Sequence, residues 1–359
     1  MLKPASGHCN MLCTYCFYRD LISSCPTQEC DMMTAEVSHK IINNVFSDLS
    51  SGDKVTFAFQ GGEPTLAGLD FFEDFFTYAR KIQNGIHVEY ALQTNGMSID
   101  DNWCSVFRKY SVLIGLSLDG YSQLHDANRK DAQGKETYKH IMRAKMKFDK
   151  HNIPYNILSV LTNQAARYPQ KIWKFILQEN IEYIQFIPCL DKLNYEILSP
   201  YALRPERFYN FYSNFFSLWV RHFQSGRYVS VKLFDDLINL YVRGFASACG
   251  MNGKCAIQFV AESDGMVYPC DFYVQDEYCM GSLAEQRPSD LFINGETFIK
   301  HKQPHLYSQP CIDCKYKTSC AGGCKRMKDF VYISKGICWY SKLLDEILPS
   351  LLQIGRLYQ

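Results

Sequence analysis

Three cysteines near the start of the chain, Cys9, Cys13 and Cys16, form a C-x3-C-x2-C loop. A 4Fe-4S cluster has four irons, so three thiolates would leave one iron without a protein ligand. A small molecule that carries an amine and a carboxylate could chelate this open iron and receive an electron from the cluster. A zinc knuckle or three ordinary buried cysteines are the alternatives. Zinc usually takes four ligands, however, and Cys25 and Cys30 lie too far along the chain to complete such a set.

A second group of cysteines lies towards the other end of the chain. Its members are Cys249, Cys255, Cys270, Cys311, Cys314, Cys320, Cys324 and Cys338. Eight thiolates meet the ligand demand of two fully coordinated 4Fe-4S clusters. Two structural zinc ions in a ribbon are the alternative, and the C-x2-C pair that begins at Cys311 suits either metal.

The bulk composition limits the compartment and the partners. Sixteen cysteines in 359 residues without a secretory signal favour metal ligation over disulfides, because a reducing cytosol keeps thiols reduced. Lys and Arg number 38 against 37 Asp and Glu, so the net charge of +1 offers no field for nucleic acid or an anionic membrane. No stretch approaches the roughly 18 apolar residues of a transmembrane helix. We therefore predict a cytoplasmic monomer that binds neither nucleic acid nor membrane and acts on a small molecule or a neutral peptide.

Short β-branched or aromatic runs alternate with longer amphipathic runs in the first two thirds of the chain, as in the strand-helix units of a parallel sheet. Strands are predicted over residues 55–60, 87–93, 113–118, 155–161 and 183–187. Helices are predicted behind Thr34, a candidate N-cap, and near residues 68–82, 136–150, 168–179 and 205–225.

The pattern changes after about Lys232, where periodic helices give way to short segments punctuated by cysteines. Residues 249–338 hold nine of the sixteen cysteines. The sequence thus predicts an α/β domain over residues 1–231 and a cysteine-rich domain with a C-terminal helix over residues 232–359.

Polar or glycine-rich tips follow four of the predicted strands, with the sequences QGGEPT, QTNG, SLDG and CLD. In parallel α/β folds ligands bind at the carboxyl ends of the strands, so we expect these tips to converge on one site. For any single tip, Gly and Asn could instead serve only to form the turn.

The cysteine loop followed by the GGEP tip, Gly61 to Pro64, resembles the radical S-adenosylmethionine (SAM) superfamily, whose core is a partial (β/α)6 barrel. The resemblance implies that the three-cysteine cluster binds SAM and that the glycine-rich tip contacts its methionine amino group. The SAM contacts implied by the resemblance are Tyr15, Gly62, Ser117, Arg129 and Leu190. Arg129 suits the carboxylate, Ser117 a ribose hydroxyl and Leu190 the adenine, although each residue type alone is usually structural.

The eight-cysteine array resembles the SPASM domain, the auxiliary-cluster extension of radical SAM enzymes that modify peptides and proteins. This resemblance implies two auxiliary 4Fe-4S clusters, and hence three clusters in all. One would be bound by Cys249, Cys255, Cys270 and Cys324, and the other by Cys311, Cys314, Cys320 and Cys338. The segment 325–337, with Met327, is short and hydrophobic and departs from the family pattern beside the second cluster.

Within the SPASM enzymes, the stretches KPAS, CTYCFY, FAFQGGEPTLAGL, GLSLDG, CGMNGKC and VYPCDFYV resemble the anaerobic sulfatase-maturating enzymes. Such enzymes use a 5′-deoxyadenosyl radical to convert a cysteine or serine of a sulfatase polypeptide to formylglycine. The resemblance assigns Asp271 as the base that deprotonates the substrate, although from the residues alone it could equally cap a turn. It also suggests that Tyr18, Gln60 and Gln93 face the peptide, and that a low-potential donor such as ferredoxin or flavodoxin supplies electrons.

Two other functions fit parts of this pattern. One is a SPASM maturase that forms thioether or carbon-carbon crosslinks in ribosomal peptides. Many of these carry a leader-binding domain, whereas only eight residues precede Cys9 here, so we expect the sulfatase function. The other is a non-catalytic electron-transfer or metal-binding protein. We interpret the remaining cysteines as unligated thiols; these are Cys25, Cys30, Cys104, Cys189 and Cys279.

Overall fold

The computed structural model describes residues 1–16, 18, 32–191, 198–299 and 307–357. Its largest sheet has six strands in sequence order, and the registers β1–β2, β2–β3, β4–β5 and β5–β6 are parallel. The strands are β1 (Lys54–Phe59), β2 (His87–Thr94), β3 (Leu113–Ser117), β4 (Tyr155–Leu161), β5 (Tyr183–Pro188) and β6 (Ser230–Val231). The predicted α/β class and parallel sheet are confirmed.

Helices follow most of these strands, as the alternating pattern predicts. They are α1 (Ala35–Ser47), α2 (Leu69–Ile82), α3 (Asp101–Tyr110), α4 (Ser122–Asn128), α5 (Tyr138–His151), α6 (Pro169–Gln178), α7 (Pro205–Gln224) and α8 (Lys232–Tyr241). The expectation that periodic helices end at Lys232 is wrong, because α8 begins there and buries Phe234, Leu237 and Ile238 along one face.

The remaining elements are short, apart from one long C-terminal helix that the sequence predicts. They are β7 (Val260–Ala261), β8 (Met266–Tyr268), β9 (Gly281–Ser282), α9 (Pro288–Thr297), α10 (Gln309–Ile312), α11 (Lys317–Cys320), α12 (Lys325–Met327), β10 (Ile333–Ser334), β11 (Ile337–Cys338) and α13 (Trp339–Arg356). Strands β7, β8 and β9 form an antiparallel sheet, and β10 and β11 form a hairpin.

Local sequence signals set several helix ends. The Thr34 hydroxyl accepts a hydrogen bond from the Val37 N–H at 3.2 Å, so the predicted N-cap of α1 is confirmed. The Asp100 carboxylate caps α3 by accepting from the N–H groups of Asn102 and Trp103 at 2.9 and 3.0 Å. Helix α3 ends at Tyr110, and its C-cap Ser111 takes the left-handed conformation with φ of 53°.

Contacts divide the chain into two units. Unit 1 comprises Met1–Ser117, Asp126–Asn156 and Ile257–Pro304, and unit 2 comprises Leu118–His125, Ile157–Ala256 and His305–Gln359. The domain boundary between residues 231 and 232 stays a prediction. In the part of the chain that the structure covers, none of the helices has the length and apolar character required to traverse a bilayer.

Each unit has an aromatic core. In unit 1, the Phe59 ring lies edge-on to Phe72 and Phe75, with centroids 5.0 Å apart in both pairs. In unit 2, Trp219 and Phe234 are fully buried with their ring centroids 5.2 Å apart. Fully burying such a side chain contributes about 1.5–3 kcal/mol, so these clusters fix α2 to β1 in unit 1 and α7 to α8 in unit 2.

Candidate active site

The three-cysteine loop lies in unit 1 and is held by backbone hydrogen bonds to the last residue of α4 and to the segment that follows it. The Leu12 N–H donates to the Lys130 carbonyl at 2.8 Å, and the Thr14 N–H donates to the Asn128 carbonyl at 2.9 Å. The Thr14 hydroxyl also donates to the Asn128 side-chain oxygen at 2.9 Å. Because these contacts join distant parts of the chain, the shape of the loop depends on the fold of unit 1.

The thiols of this loop differ in exposure. Cys9 is exposed, whereas Cys13 and Cys16 are half-buried. The Cys9 sulfur accepts from the Met11 N–H at 3.4 Å and from the Asn95 side-chain amide at 3.7 Å. Amide N–H groups that point at a ligand sulfur are a recurrent feature of iron-sulfur sites, so these contacts fit the predicted use of the loop.

The GGEP tip after β1 packs directly against the backbone that leads into the cysteine loop. The Gly62 N–H donates to the Ser6 carbonyl and the Glu63 N–H to the His8 carbonyl, both at 2.7 Å. A Cβ atom on Gly62 would lie 2.0 Å from the His8 oxygen. Only glycine fits at this position, because no side chain tolerates so close an approach of backbone.

Glu63 joins two of the predicted strand tips. Its carboxylate is 1% exposed and accepts from the Thr65 N–H at 3.2 Å, the Thr65 hydroxyl at 2.6 Å, the Thr94 hydroxyl at 2.7 Å and the Asn95 N–H at 2.7 Å. Burial raises the pKa of Glu63, and these four donors oppose the rise. The GGEP and QTNG tips thus converge, as the sequence predicts.

The predicted SAM contacts in unit 1 lie on different elements. Gly62 is in the GGEP tip, Ser117 ends β3 and is buried, and Arg129 follows α4 and is also buried. The Arg129 guanidinium lies over the Tyr15 ring, 5.6 Å from its centroid. The structure therefore brings Tyr15 and Arg129 together, in a cation–π arrangement.

Leu190, the remaining predicted SAM contact, lies in unit 2. It follows β5 and is half-buried between buried Cys189 and buried Asp191. The Asp191 carboxylate pairs with the Arg204 guanidinium, and the Leu203 N–H donates to the Cys189 carbonyl at 2.7 Å. These contacts fix the backbone on both sides of Leu190.

Asp271, the predicted base, lies in unit 1 directly after Cys270 and takes part in a dense network. Its Oδ2 accepts from the Tyr18 hydroxyl at 2.6 Å and from the Gln60 amide at 3.1 Å. The same Gln60 nitrogen lies 3.1 Å from the Tyr18 hydroxyl. Burial, and then the charge of Asp271, raise the pKa of Tyr18 well above its ordinary value, so its hydroxyl remains a donor.

Two residues of this network are absent from the sequence predictions. The Lys3 ammonium lies 2.9 Å from Oδ1 of Asp271 and 2.9 Å from Oε1 of Glu262. Lys3 belongs to the KPAS stretch, but nothing in its local sequence indicates a buried ion pair. Gln93, which is predicted to face the peptide, lies in β2 opposite Gly115 of β3.

Four of the C-terminal cysteines surround one cavity of unit 2. Cys311, Cys314, Cys320 and Cys338 line a space of about 370 Å³, part of it open to solvent, together with Lys328, Tyr332 and Tyr340. These four are the set that the SPASM resemblance assigns to one cluster. Burial and the neighbouring thiolates raise the pKa of Cys320 to about 12, and a bound cation would favour its thiolate form. Thiols around one cavity therefore fit the proposed cluster.

The other predicted auxiliary ligands are less closely described. In unit 2, a Cβ on Gly250 would lie 3.0 Å from the Cys324 backbone, so the stretch after Cys249 packs on Cys324. Burial, and then the Cys324 and Cys249 thiolates, raise the pKa of Cys255, while Lys325 opposes the rise. Cys270 lies in unit 1, where it precedes Asp271.

Single-ion geometry is a separate question from cluster geometry. Across the ranges that the structure covers, no three His, Cys, Asp or Glu side chains meet closely enough to hold one metal ion. A cubane spreads its thiolates over separate corners, so this finding concerns single-ion sites only. Of the thiols interpreted as unligated, Cys104 and Cys189 are buried and Cys279 is half-buried, while Cys25 and Cys30 lie outside the described residues.

Comparison with known proteins supplies the family context of this geometry. A model of the radical SAM superfamily matches residues 4–172, and a model of SPASM, described as an iron-sulfur cluster-binding domain, matches residues 253–315. Cys320, Cys324 and Cys338 lie beyond the second match.

Curated relatives and solved structures match over most of the chain. A cysteine-type anaerobic sulfatase-maturating enzyme of Clostridium novyi is 39% identical over 333 residues, covering 92% of this chain and 88% of the relative. A serine-type anaerobic sulfatase-maturating enzyme of Klebsiella pneumoniae is 27% identical, covering 99% of this chain and 89% of the relative. The solved structure of native anSMEcpe with bound AdoMet and Cp18Cys peptide is 36% identical, with a TM-score of 0.90 and coverage of 100% of this chain and 98% of that one.

Proposed function

The chain belongs to the anaerobic sulfatase-maturating enzymes of the radical SAM superfamily, and we propose that its substrate residue is a cysteine rather than a serine of a sulfatase polypeptide. As an enzyme of this family it oxidises a sulfatase side chain to formylglycine. The observation that carries the cysteine preference is the 39% identity to the cysteine-type relative against 27% to the serine-type one, at similar coverage of both relatives.

The chemistry needs three removals from the substrate cysteine. One hydrogen atom leaves Cβ, one proton leaves sulfur and one electron departs, which together create a C=S bond. Water then replaces sulfur, giving the aldehyde and hydrogen sulfide. When bound, SAM and the three 4Fe-4S clusters supply the radical that takes the Cβ hydrogen and the centres that accept the remaining electron.

We propose that the chain itself supplies the base, Asp271. Its Oδ2 carries the hydrogen bonds from Tyr18 and Gln60, two donors that fix the orientation of the oxygen before a substrate thiol arrives. A positioned general base contributes roughly 10² to 10⁴-fold to a rate. Tyr18 and Gln60 are therefore proposed to act on the peptide site by orienting this carboxylate.

The SAM site is proposed to use the contacts named above. Gly62 would contact the methionine amino group of SAM, Arg129 would bind its carboxylate, and Ser117 a ribose hydroxyl. Tyr15, which carries the Arg129 guanidinium on its ring, would fix the direction of that group. Leu190 is proposed to flank the adenine.

The eleven predicted cluster ligands are likewise a proposal. Cys9, Cys13 and Cys16 would hold the SAM-binding cluster. The four cysteines of the unit 2 cavity would hold one auxiliary cluster, and Cys249, Cys255, Cys270 and Cys324 the other. A low-potential donor such as ferredoxin or flavodoxin is proposed to reduce the first cluster, in a monomeric enzyme.

A pair of peptides tests the substrate proposal. The iron-loaded protein is incubated anaerobically with SAM, dithionite and a sulfatase-motif peptide that carries either cysteine or serine at the target position. We expect a higher kcat/KM for the cysteine peptide than for the serine peptide. Mass spectrometry follows both reactions, because the cysteine peptide exchanges its thiol for an aldehyde and the serine peptide loses two hydrogens. A preference for serine would overturn the assignment.

The base is tested by Asp271→Asn, which keeps the side-chain shape but removes the basic oxygen pair. SAM cleavage should persist, measured as 5′-deoxyadenosine, while aldehyde formation falls by about 10² to 10⁴-fold. Aldehyde formation at the normal rate would show that another group takes the proton.

A further inference from the structure

A lysine ammonium lies buried beside the proposed base. Lys3 is 1% exposed, and its ammonium contacts two carboxylates at 2.9 Å, Oδ1 of Asp271 and Oε1 of Glu262. It also lies over the Tyr18 ring, 4.8 Å from the centroid. Lys3 is thus in contact with both Asp271 and the tyrosine that donates to Asp271.

Backbone contacts fix the position of this lysine from both sides. The Leu2 N–H donates to the Ala58 carbonyl of β1, and the Lys3 N–H donates to the Ala261 carbonyl of β7, both at 2.8 Å. The Cα of Lys3 is therefore held between two strands of unit 1. A lysine side chain has many rotamers, but here its two ends are both fixed.

The Lys3 ammonium keeps its positive charge although it is buried. Burial lowers the pKa of the ammonium, but the charges of Asp271 and Glu262 outweigh it, so the pKa of Lys3 lies above its ordinary value. One ammonium and two carboxylates leave one net negative charge in the cluster. Glu262 thus provides the Lys3 ammonium with a second counter-charge.

The two oxygens of Asp271 have different partners. Oδ1 faces Lys3, while Oδ2 faces the donors of Tyr18 and Gln60. A carboxylate held at only one oxygen can rotate about its terminal torsion, which is broad. The ion pair at Oδ1 removes this freedom and fixes which oxygen meets the substrate.

We propose that Lys3 is a positioning residue for the oxidation, holding Asp271 through Oδ1 so that Oδ2 receives the substrate proton, with Glu262 restraining Lys3. This inference rests on the proposed function, in which Asp271 is the base. The rival explanation is a buried ion pair that contributes only to folding, since replacing such pairs by apolar side chains is often neutral for stability.

The test uses variants that change the ion pair in steps. Lys3→Met removes the ammonium but keeps the length of the side chain. The double variant Lys3→Met/Glu262→Gln removes one positive and one negative charge, so it preserves the net charge of the cluster and leaves no second carboxylate unpaired. Lys3→Arg retains the charge. Lys145→Met is the matched control, because Lys145 is another buried lysine paired with an aspartate, Asp149, at 2.9 Å.

Each variant is loaded with iron, and its melting temperature and iron content are measured. Anaerobic assays then give two products, 5′-deoxyadenosine and peptide aldehyde. For both Lys3→Met variants we expect 5′-deoxyadenosine within about twofold of normal and a kcat for aldehyde lowered about 10²-fold, with KM for the peptide little changed. Lys3→Arg should have a kcat for aldehyde at least about tenfold higher than that of Lys3→Met. Lys145→Met should keep the normal product ratio while its melting temperature falls.

The ratio of aldehyde to 5′-deoxyadenosine separates positioning from folding, because a purely structural defect lowers both products together. A normal ratio in the folded double variant would overturn the inference, even where Lys3→Met alone fails to fold. Lys3→Arg no better than Lys3→Met would also overturn it. Normal aldehyde formation by Asp271→Asn would remove the base itself, and a wild-type protein that leaves the cysteine peptide unmodified would instead refute the proposed function.

Discussion

The two cysteine groups are built in opposite ways. The N-terminal loop is held by backbone hydrogen bonds to the end of α4 and the segment after it. Gly62 packs closely on the residues that lead into the loop, and Cys9 remains exposed. The four cysteines in unit 2 instead surround a cavity that is also lined by the buried Tyr340 and the half-buried Tyr332. A loop held from behind leaves its thiols accessible to a further ligand, whereas thiols around a cavity enclose what they bind. The first arrangement suits a cluster that binds a further ligand and reacts with it, and the second suits a cluster that the protein coordinates completely.

The largest expected effect follows from removing one thiol of the open loop. Cys13→Ala should eliminate 5′-deoxyadenosine formation, because the proposed three-thiolate cluster loses a ligand, while the melting temperature changes little because the loop is fixed by backbone contacts. Cys104→Ala, at a buried thiol of α3, should keep SAM cleavage. Product assays and thermal melts of both variants make the comparison, and SAM cleavage by Cys13→Ala would contradict the open-cluster proposal.

The corresponding change in the enclosed group should act differently. Cys338→Ala should lower the iron content by about one third and lower the melting temperature, because metal binding at such a set contributes to folding. SAM cleavage should survive while aldehyde formation falls at least about tenfold, as expected if the cluster accepts an electron. Iron analysis and assays of both products test this prediction, with Cys279→Ala as the control. Full turnover by an iron-depleted Cys338→Ala protein would limit this cluster to a structural role.

A smaller effect is expected at the tip that supports the loop. Gly62→Ala places a Cβ 2.0 Å from the His8 oxygen, so the backbone before Cys9 must move. The KM for SAM should rise about tenfold, with a lower melting temperature. Gly134→Ala is the control: nothing lies within 4 Å of its Cβ, and its φ of 79° costs only about 1–2 kcal/mol. Equal KM values for the two variants would show that the packing on His8 does not affect the SAM site.

The smallest effect concerns the Asn95 amide. Asn95→Ala removes the N–H that points at the Cys9 sulfur, and N–H groups at ligand sulfurs stabilise the reduced cluster. The midpoint potential of the N-terminal cluster should become more negative, as measured by spectroelectrochemistry without SAM. Asn43→Ala, on the surface of α1, should leave the potential unchanged, and identical potentials in both variants would exclude this influence.

The sequence predicts most of the sheet because its signals are local. The four tips follow their strands, and Thr34 caps α1, since strand alternation and caps depend only on neighbouring residues. The start of α8 at Lys232 is missed although Phe234, Leu237 and Ile238 recur there at helical spacing. The two-residue β6 is missed because so short a strand carries little periodicity. Such elements are fixed by packing rather than by propensity.

The ion pairs of Asp271 illustrate what local signals cannot give. Lys3 and Glu262 meet only because the start of the chain forms bridges to β1 and β7. Lys3 and its backbone partner Ala261 are more than 250 residues apart in the sequence. No composition or spacing rule links such positions. The sequence predicts that Tyr18 and Gln60 face the peptide, and the structure adds that both donate to Asp271.

The carboxylate of Glu63 couples the GGEP and QTNG tips structurally. Because one anion accepts hydrogen bonds from donors on both tips, the effects of substitutions at Thr65 and Thr94 on stability should be non-additive in a double-mutant cycle. An engineer who wishes to reshape the pocket would therefore have to redesign the two motifs together, as one exchangeable module, and could not vary either in isolation.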